Sequence, residues 1–446
     1  MLRSKYFALY YAIFAYIAIT LSGHTVATAE ILVGSNELVN ALNNFGYKLT
    51  VQLLKETNDN TNVVISPTGI NGVLAMVLLG SVGRSYDELS DILGFSQDVL
   101  SNRKYHEQLG QLLKDLNNND TYSKTMYANA IFVDTTYKLR EVYRSYLSKV
   151  YNGEAMSVDF KDSSTVKTLI NEWVSNNTNG KLPEFLKQDL PADTQAGLLS
   201  ALYFNGQWEV PFVPEHTKKL PFTTLSGDKV MIDQMLNMGK FKYGFSADDG
   251  FDILALSYND SVTTLYAVRP TTYPKKQTIR DLMNSIDYNK INNMIDQMNK
   301  KQCIIRFPKM DLQSDLKLED SLKTLGIKSI FSPSEANFAL MVDVDSSSND
   351  TDDELIQRIN DGDKNDAAEI QRIINGLPNP RIYVDTVVHS VKMTIDEYGT
   401  EASSATGAFL ARSVQMFYLD SPFYMFIRNE KTKLVTFSAV ILNPSD

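Results

Sequence analysis

The stretch from Ile395 to Phe423 constrains this chain more than any other. It begins like the end of a β-strand. From Gly399 to Ala408 every residue is small or Thr except Glu401. The stretch then reaches Arg412-Ser413 and ends in a second apolar strand closed by Pro422. A run rich in Ala, Ser, Thr and Gly reads as a flexible linker. This one also alternates, which gives it a second reading. Thr400, Ala402, Ser404, Thr406, Ala408 and Leu410 would share one face of an extended strand, and Glu401, Ser403, Ala405, Gly407 and Phe409 the other. Glu401 needs water, so the first set would face inward. Its side chains are small enough to pass between strands already in place. The segment reads as a loop able to become a strand.

Other blocks along the chain belong with it. Asn62-Val63-Val64-Ile65-Ser66-Pro67 is followed by Leu74-Ala75-Met76. Ile170-Asn171-Glu172-Trp173-Val174 is followed by Thr178-Asn179-Gly180-Lys181-Leu182. Ala201 to Trp208, Val387-Val388-His389, Phe426-Ile427-Arg428-Asn429 and Asn443-Pro444 complete the set. These blocks and the loop, in this order, resemble the serpin family of serine-protease inhibitors across roughly residues 35 to 446. The segment Glu397-Tyr398-Gly399-Thr400-Glu401-Ala402-Ser403-Ser404-Ala405-Thr406-Gly407 resembles the family's hinge.

The resemblance implies an α+β fold with three β-sheets, eight or nine helices and an exposed reactive-centre loop, here 397–421. It also implies a suicide mechanism: a protease cuts the loop, forms an acyl-enzyme, and is trapped as the cut loop enters the central sheet. The hinge residues Glu397, Gly399, Thr400, Glu401, Ala402, Ser403, Ser404, Ala405 and Thr406 would enter first. Arg412 is the basic residue of the loop and would suit an acidic specificity pocket. The family's usual loop length, counted from Glu397, puts the cut at Ser413–Val414. A loop one residue shorter puts it at Arg412–Ser413, the preferred reading, which implies a covalent complex with a trypsin-like serine protease. His389 would lie in the breach, where the loop first enters the sheet, and Ser66 and Ser200 in the polar network beneath. Two departures fall in that network: the family's Ser-Pro-x-Ser reads Ser66-Pro67-Thr68-Gly69, and its Asn-Ala reads Ser200-Ala201. The overall character resembles arthropod serpins, which restrain protease cascades in melanisation and innate immunity. The alternative is a non-inhibitory carrier or binding serpin, whose hinge tends to hold bulky or charged residues.

The residues themselves exclude several enzyme classes. His24, His106, His216 and His389 are the histidines. There is no Gly-x-Ser-x-Gly elbow, His-Glu-x-x-His pair, Cys-x-x-Cys or phosphate-cradling glycine loop. The expectation is no catalysis, no metal and no cofactor. With 43% hydrophobic residues and no dividing linker, 446 residues form one large domain over 30–446. Arg3 and Lys5 precede a mostly apolar run, Tyr6–Leu21, and Ala27-Thr28-Ala29 reads as a cleavage site. That run of 16 residues falls short of the ~20 needed to span a membrane. Residues 1–29 read as a signal peptide, which implies a secreted, extracellular monomer with no membrane attachment. Sequons at Asn119, Asn176, Asn259 and Asn349 would then be glycosylation candidates. Cys303 is the single cysteine and sits in an alternating strand, so it reads as a buried, inert thiol.

The net charge is −10, and residues 343–372 hold ten acidic and three basic residues. No broad basic footprint for nucleic acid appears. Residues 343–381 read as an acidic insertion that begins disordered at Asp343, with short helical turns at Leu355, Ile359, Ile370 and Ile373. It reads as a solvated loop or as a docking tail for a basic partner. Elsewhere Leu38, Leu42, Phe45, Leu49 and Leu53 form one helical stripe, and Val63–Leu79 predicts a buried strand end and helix. Helices are expected near 84–93, 100–116, 166–176 and 277–299. The continuous apolar run Leu198–Phe204 predicts a central strand covered on both faces.

Overall fold

The apolar stripe that opens the folded chain forms a helix over 37–56, with Leu38, Leu42, Phe45, Leu49 and Leu53 all buried. The computed structural model describes residues 37–116, 118–119, 122–271, 277–344, 372, 374, 376–397 and 414–445. After the strand Val63–Ile65 comes the helix Pro67–Gly80, buried everywhere except Leu79. Ser66 caps it by accepting from the Gly69 N–H, and Pro67 takes the first position, where no N–H is needed. The helical stretch expected at 277–299 is two helices, Ile279–Ser285 and Tyr288–Gln297. Each begins at its own side-chain cap, Thr278 and Asp287. The helix Glu141–Tyr151 was not foreseen. Its buried stripe relies on Tyr143, Tyr146 and Tyr151, which read equally well as surface residues.

Nine α-helices and three sheets, of nine, six and two strands, are seen among the described residues. The six-stranded sheet matters most. Across it run Met310–Lys317, Thr386–Ile395, Ala196–Gly206 and Ser123–Asp134, with Asn118–Asn119 and Glu154–Val158 both against the last. Ala196–Gly206 is buried from Ala196 through Phe204, as its continuous apolar run requires. On one face Ala128, Ala130, Phe132, Leu199, Ala201 and Val388 pack under the helix Ser163–Asn177. On the other, Leu202, Phe204, Val391 and Met393 pack into the core shared with the nine-stranded sheet.

The acidic insertion begins later than its charge pattern implied. Asp343 ends a short strand, Val342–Asp343, paired with Lys138–Leu139. Its carboxylate lies 3.6 Å from the Arg140 guanidinium and 3.5 Å from Lys138 Nζ. Arg140 is buried, and a buried cation needs a counter-charge. At the far end Ile374 and Leu377 are buried against Val82, Ala339 and Leu340. Both ends thus belong to the folded body, while 345–371, with Leu355, Ile359 and Ile370, lies outside the described residues, as does Ile373. Among the described residues no helix is long and apolar enough to cross a membrane, and no group of His, Cys, Asp and Glu could hold a metal ion.

Candidate functional site

Two central strands of the six-stranded sheet, Thr386–Ile395 and Ala196–Gly206, pair with each other in parallel. Their register runs from Thr386 opposite Gly197 to Met393 opposite Phe204. Their outer neighbours are antiparallel to them: Met310–Lys317 on one side and Ser123–Asp134 on the other. No strand lies between the parallel pair. The chain leaves the upper end of Thr386–Ile395 through Asp396 and Glu397. A segment that turned back from there would run antiparallel to both central strands. It would replace one parallel ladder with two antiparallel ones, the better-aligned hydrogen-bond pattern.

The departure point is tied down. Glu397 is buried; its carboxylate accepts from Lys309 Nζ at 2.7 Å and from Thr217 Oγ1 at 2.8 Å. Burial alone would raise this carboxyl's pKa, but the hydrogen bonds from Lys309 and Thr217 outweigh it and hold the group below its ordinary value. Backbone contacts add to the hold. The Glu397 carbonyl accepts from the Phe212 N–H at 3.0 Å, and the Asp396 carbonyl from Trp208 Nε1 at 2.9 Å. Trp208 itself stacks on Tyr258 with ring centroids 4.4 Å apart.

The downstream end is also fixed. Gln415–Tyr418 pairs in parallel with Asn299–Pro308. Arg269 donates to the carbonyls of Tyr418 at 2.7 Å and Met416 at 2.9 Å. The same guanidinium grips buried Asp252 at 2.9 and 3.0 Å. Tyr398–Ser413 lies between these anchors and outside the described residues. The hinge residues Gly399, Thr400, Glu401, Ala402, Ser403, Ser404, Ala405 and Thr406 and the bond Arg412–Ser413 therefore carry no geometry here. Val414 is described and half-buried.

Beneath the parallel pair lies a polar row. Asn129, Ser200 and His389 stand opposite one another on three adjacent strands. All are buried, and they meet the buried helix at its capping end. Ser66 donates its N–H to His389 Nε2 at 2.8 Å. Ser66 Oγ donates to the Thr436 carbonyl at 2.8 Å. A Cβ on Gly69 would meet Ser200 Oγ, and one on Gly72 would meet Asn129 Nδ2. Helix positions 66, 69 and 72, one face of the helix, thus face His389, Ser200 and Asn129 in turn. Burial pushes the His389 imidazole down to about 3, so it is neutral and accepts through Nε2. His389 does not stand where the loop leaves the strand, as the family resemblance implied. It sits at mid-strand, opposite Ser200, and the departure point belongs to Trp208, Lys309, Thr217 and Glu397. Valine neighbours fix a residue's face of a strand but not its height along the sheet.

Over the front of the sheet the helix Ser163–Asn177 leads into a strap across the strand pair. Lys187 reaches Asp315 on the edge strand at 2.9 Å, and Asp315 also accepts from Ser390 Oγ at 2.6 Å. Farther along, Asp385 accepts from the Gln195 N–H at 2.6 Å, where the strap enters its strand.

A family model for the serpins, serine protease inhibitors, matches residues 40–444. The chain belongs to the serpin family. Among curated relatives, Serine protease inhibitor 28Dc of Drosophila melanogaster is 28% identical over 93% of this chain and 80% of its own length. Plasminogen activator inhibitor 1 of Sus scrofa is 27% identical over 90% of this chain and 91% of its own. Among solved structures, serpin-12 of Manduca sexta covers 91% of this chain and 99% of its own, with a TM-score of 0.73 at 22% identity. Human thyroxine-binding globulin covers 93% of this chain and 100% of its own, with a TM-score of 0.76 at 20% identity. These two structural likenesses carry the fold, which this serpin shares with proteins of different tasks.

The remaining sequence candidates fall as follows. Cys303 is buried, and burial pushes its thiol up to about 11, which suppresses the nucleophilic thiolate. Asn259 is exposed on a turn that continues through Ser261 with φ of 59°. Asn176 is exposed but helical, and the hydroxyl of its Thr178 is buried and donates to the Val174 carbonyl at 2.7 Å. Asn349 and the side chain of Asn119 lie outside the described residues. Sequence reasoning missed Lys309, Thr217 and Asn129. Lys309 stands 88 positions from its partner, between two strands, and only the fold brings the pair together.

Proposed function

We propose that this serpin is a suicide inhibitor of a trypsin-like serine protease. The observation that carries the reading is the unoccupied seam between Thr386–Ile395 and Ala196–Gly206, with a tethered chain leaving its upper end. The protease serine attacks the Arg412 carbonyl. The Arg412–Ser413 amide breaks, the Ser413 amine leaves with a proton, and an ester joins Arg412 to the enzyme. The freed segment behind Glu397 enters the seam with Thr400 in the lead, and the esterified protease travels with it. About ten new backbone hydrogen bonds at ~1 kcal/mol each supply on the order of 10 kcal/mol, before packing gains. Inward-facing Thr400, Ala402, Ser404 and Thr406 are small enough to enter quickly. Distortion of the protease then outruns hydrolysis of the ester.

The basic Arg412 supports the trypsin-like target, and the cut at Ser413–Val414 is the neighbouring alternative. Secretion after removal of 1–29, a monomeric state and glycosylation, with Asn259 the best-presented sequon, belong to the same reading. A place in an arthropod extracellular cascade such as melanisation belongs to the same reading, and rests on the overall resemblance to arthropod serpins. The fold is compatible with a carrier as well, as thyroxine-binding globulin illustrates. The small hinge residues favour inhibition.

The test is to incubate the purified protein with trypsin and analyse it by denaturing electrophoresis and mass spectrometry. A complex that survives denaturation, with a released peptide starting at Ser413, supports both the mechanism and the bond. Cleavage at that bond without a complex, and without a gain in heat stability of the cut protein, sinks the inhibitory reading in favour of a carrier.

A further inference from the structure

Beside the downstream anchor of the loop, three strands present an outward face with an unbalanced charge. Lys242 and Lys300 stand directly opposite each other on paired antiparallel strands, and Lys240 stands opposite Gln302. All three lysines are exposed, and none has an ion pair among the described residues. Like charges directly opposite each other destabilise a sheet. A chain with net charge −10 has carboxylates to spare, yet among the described residues none forms an ion pair with these lysines, Glu209 of the neighbouring groove included. One step along, Met238, Ile304 and Met416 form an apolar row across the same three strands. Met238 is 41% and Met416 61% exposed. Val210, 43% exposed, flanks the row. With Glu209 and the three lysines it lines an open groove of about 240 Å³.

We propose that this face is a docking surface for the body of the attacking protease, and that it fits an enzyme whose active-site rim is acidic and apolar. The proposal rests on the reactive bond given above and names the kind of protease that bond meets. Chain connectivity carries it. Gln415 pairs with Cys303 and Met416 with Ile304, so the chain joins this face two residues after Ser413. At ~3.3 Å per residue, the chain between Met416 and either candidate bond can span no more than about 12 Å. An enzyme closing on that bond brings its rim over Met416, Met238 and the lysines. A positive patch on an otherwise acidic molecule orients an acidic partner during approach and speeds productive encounter.

The experiment compares the full-length protein with Lys240→Glu/Lys242→Glu/Lys300→Glu, using one anionic and one cationic trypsin. The rate of attack on the loop is read as complex formation plus cleavage, so it is measured whether or not trapping succeeds. With anionic trypsin the triple variant should lose about ten-fold in rate at low salt, and the loss should shrink as salt screens the charges. With cationic trypsin the rate should hold or rise, which also shows that the variant is folded. Lys242→Gln/Lys300→Gln should fall between. Unchanged rates with anionic trypsin overturn the proposal. So does a variant that loses salt-dependent retention on heparin while its trypsin rates hold, an outcome that assigns the face to a polyanion. Failure of trapping with the charge dependence intact would count against the inhibitory reading and leave the docking surface standing.

Discussion

A Cβ placed on Gly69 would lie 2.6 Å from the Oγ of Ser200. These two positions are the ones at which this serpin departs from its family pattern under the sheet, and the structure puts them in contact. The Ser200 hydroxyl fills the space that a side chain at Gly69 would need, and it is buried there without a hydrogen-bond partner among the described residues.

Gly69→Ala should therefore destabilise the native state by about 1–2 kcal/mol through overpacking, despite the ~1 kcal/mol that Ala gains over Gly in a helix. Ser200→Ala in the same chain should restore most of the loss, because it removes the atom the new methyl meets. Urea unfolding midpoints of the two single variants and the double give the coupling. Additive effects would show that the two positions do not interact.

The Glu397–Lys309 pair holds the chain where the loop departs. Glu397→Gln should lower the unfolding free energy by roughly 1–2 kcal/mol, a modest loss because Lys309 is half exposed and partly screened. Limited proteolysis of 398–413 should become faster in the same variant, since Asp396–Glu397 would no longer be fixed. An unchanged cleavage rate would mean that Trp208 and Phe212 hold this end without the ion pair.

Thr400→Arg should turn the protein from inhibitor into substrate. An inward-facing guanidinium has no partner between the central strands and carries a prohibitive desolvation cost. Trypsin should still cut after Arg412, with mass spectrometry separating that cut from any at position 400, and leave active, with the number of serpin molecules consumed per trypsin inhibited rising by an order of magnitude or more. A variant that still traps trypsin one to one would disprove insertion with Thr400 leading.

Arg412→Ala should remove inhibition of trypsin while leaving the melting temperature unchanged, because in sequence the residue falls between the two anchors, in the segment proposed to meet the protease. Second-order inhibition rates should fall by at least about a hundred-fold, the scale of losing an ion-paired specificity contact. Equal rates for the variant and the parent would move the cut to another bond.

Much of this fold was legible in the sequence where burial is uniform. The Leu198–Phe204 run needed no partner information to read as a doubly covered strand, and the stripe from Leu38 to Leu53 needed none to read as a helix. What stayed hidden depends on pairs far apart in the chain. Asn129, Ser200 and His389 form a row only because three strands align in one register. Asp343 looks like the first residue of a solvated acidic run until buried Arg140, 203 positions earlier, claims it. Charge patterning predicts solvation well, and it fails where a buried counter-ion waits elsewhere in the fold.

Acid should weaken the native state earlier than its carboxylates alone would dictate. Burial pushes His389 and His106 down to about 3 from the ordinary value of 6.5. Between those limits the unfolded chain binds a proton at each site and the folded chain does not. Stability from these two residues is complete above pH 6.5 and declines as pH falls toward 3. Each loses about 1.4 kcal/mol by pH 5.5, so the pair loses about 3 kcal/mol before the lowered carboxyls of Glu397, Glu430 and Asp260 begin to titrate. At His389 the loss has a structural reason: its Nε2 accepts the Ser66 N–H, and protonation would set two donors against each other. His389→Gln should be less stable near neutral pH and should show about half the parent's slope between pH 6.5 and 5. Urea midpoints taken at half-unit pH steps give both slopes. Identical slopes in parent and variant would mean that His389 takes up a proton in the folded state.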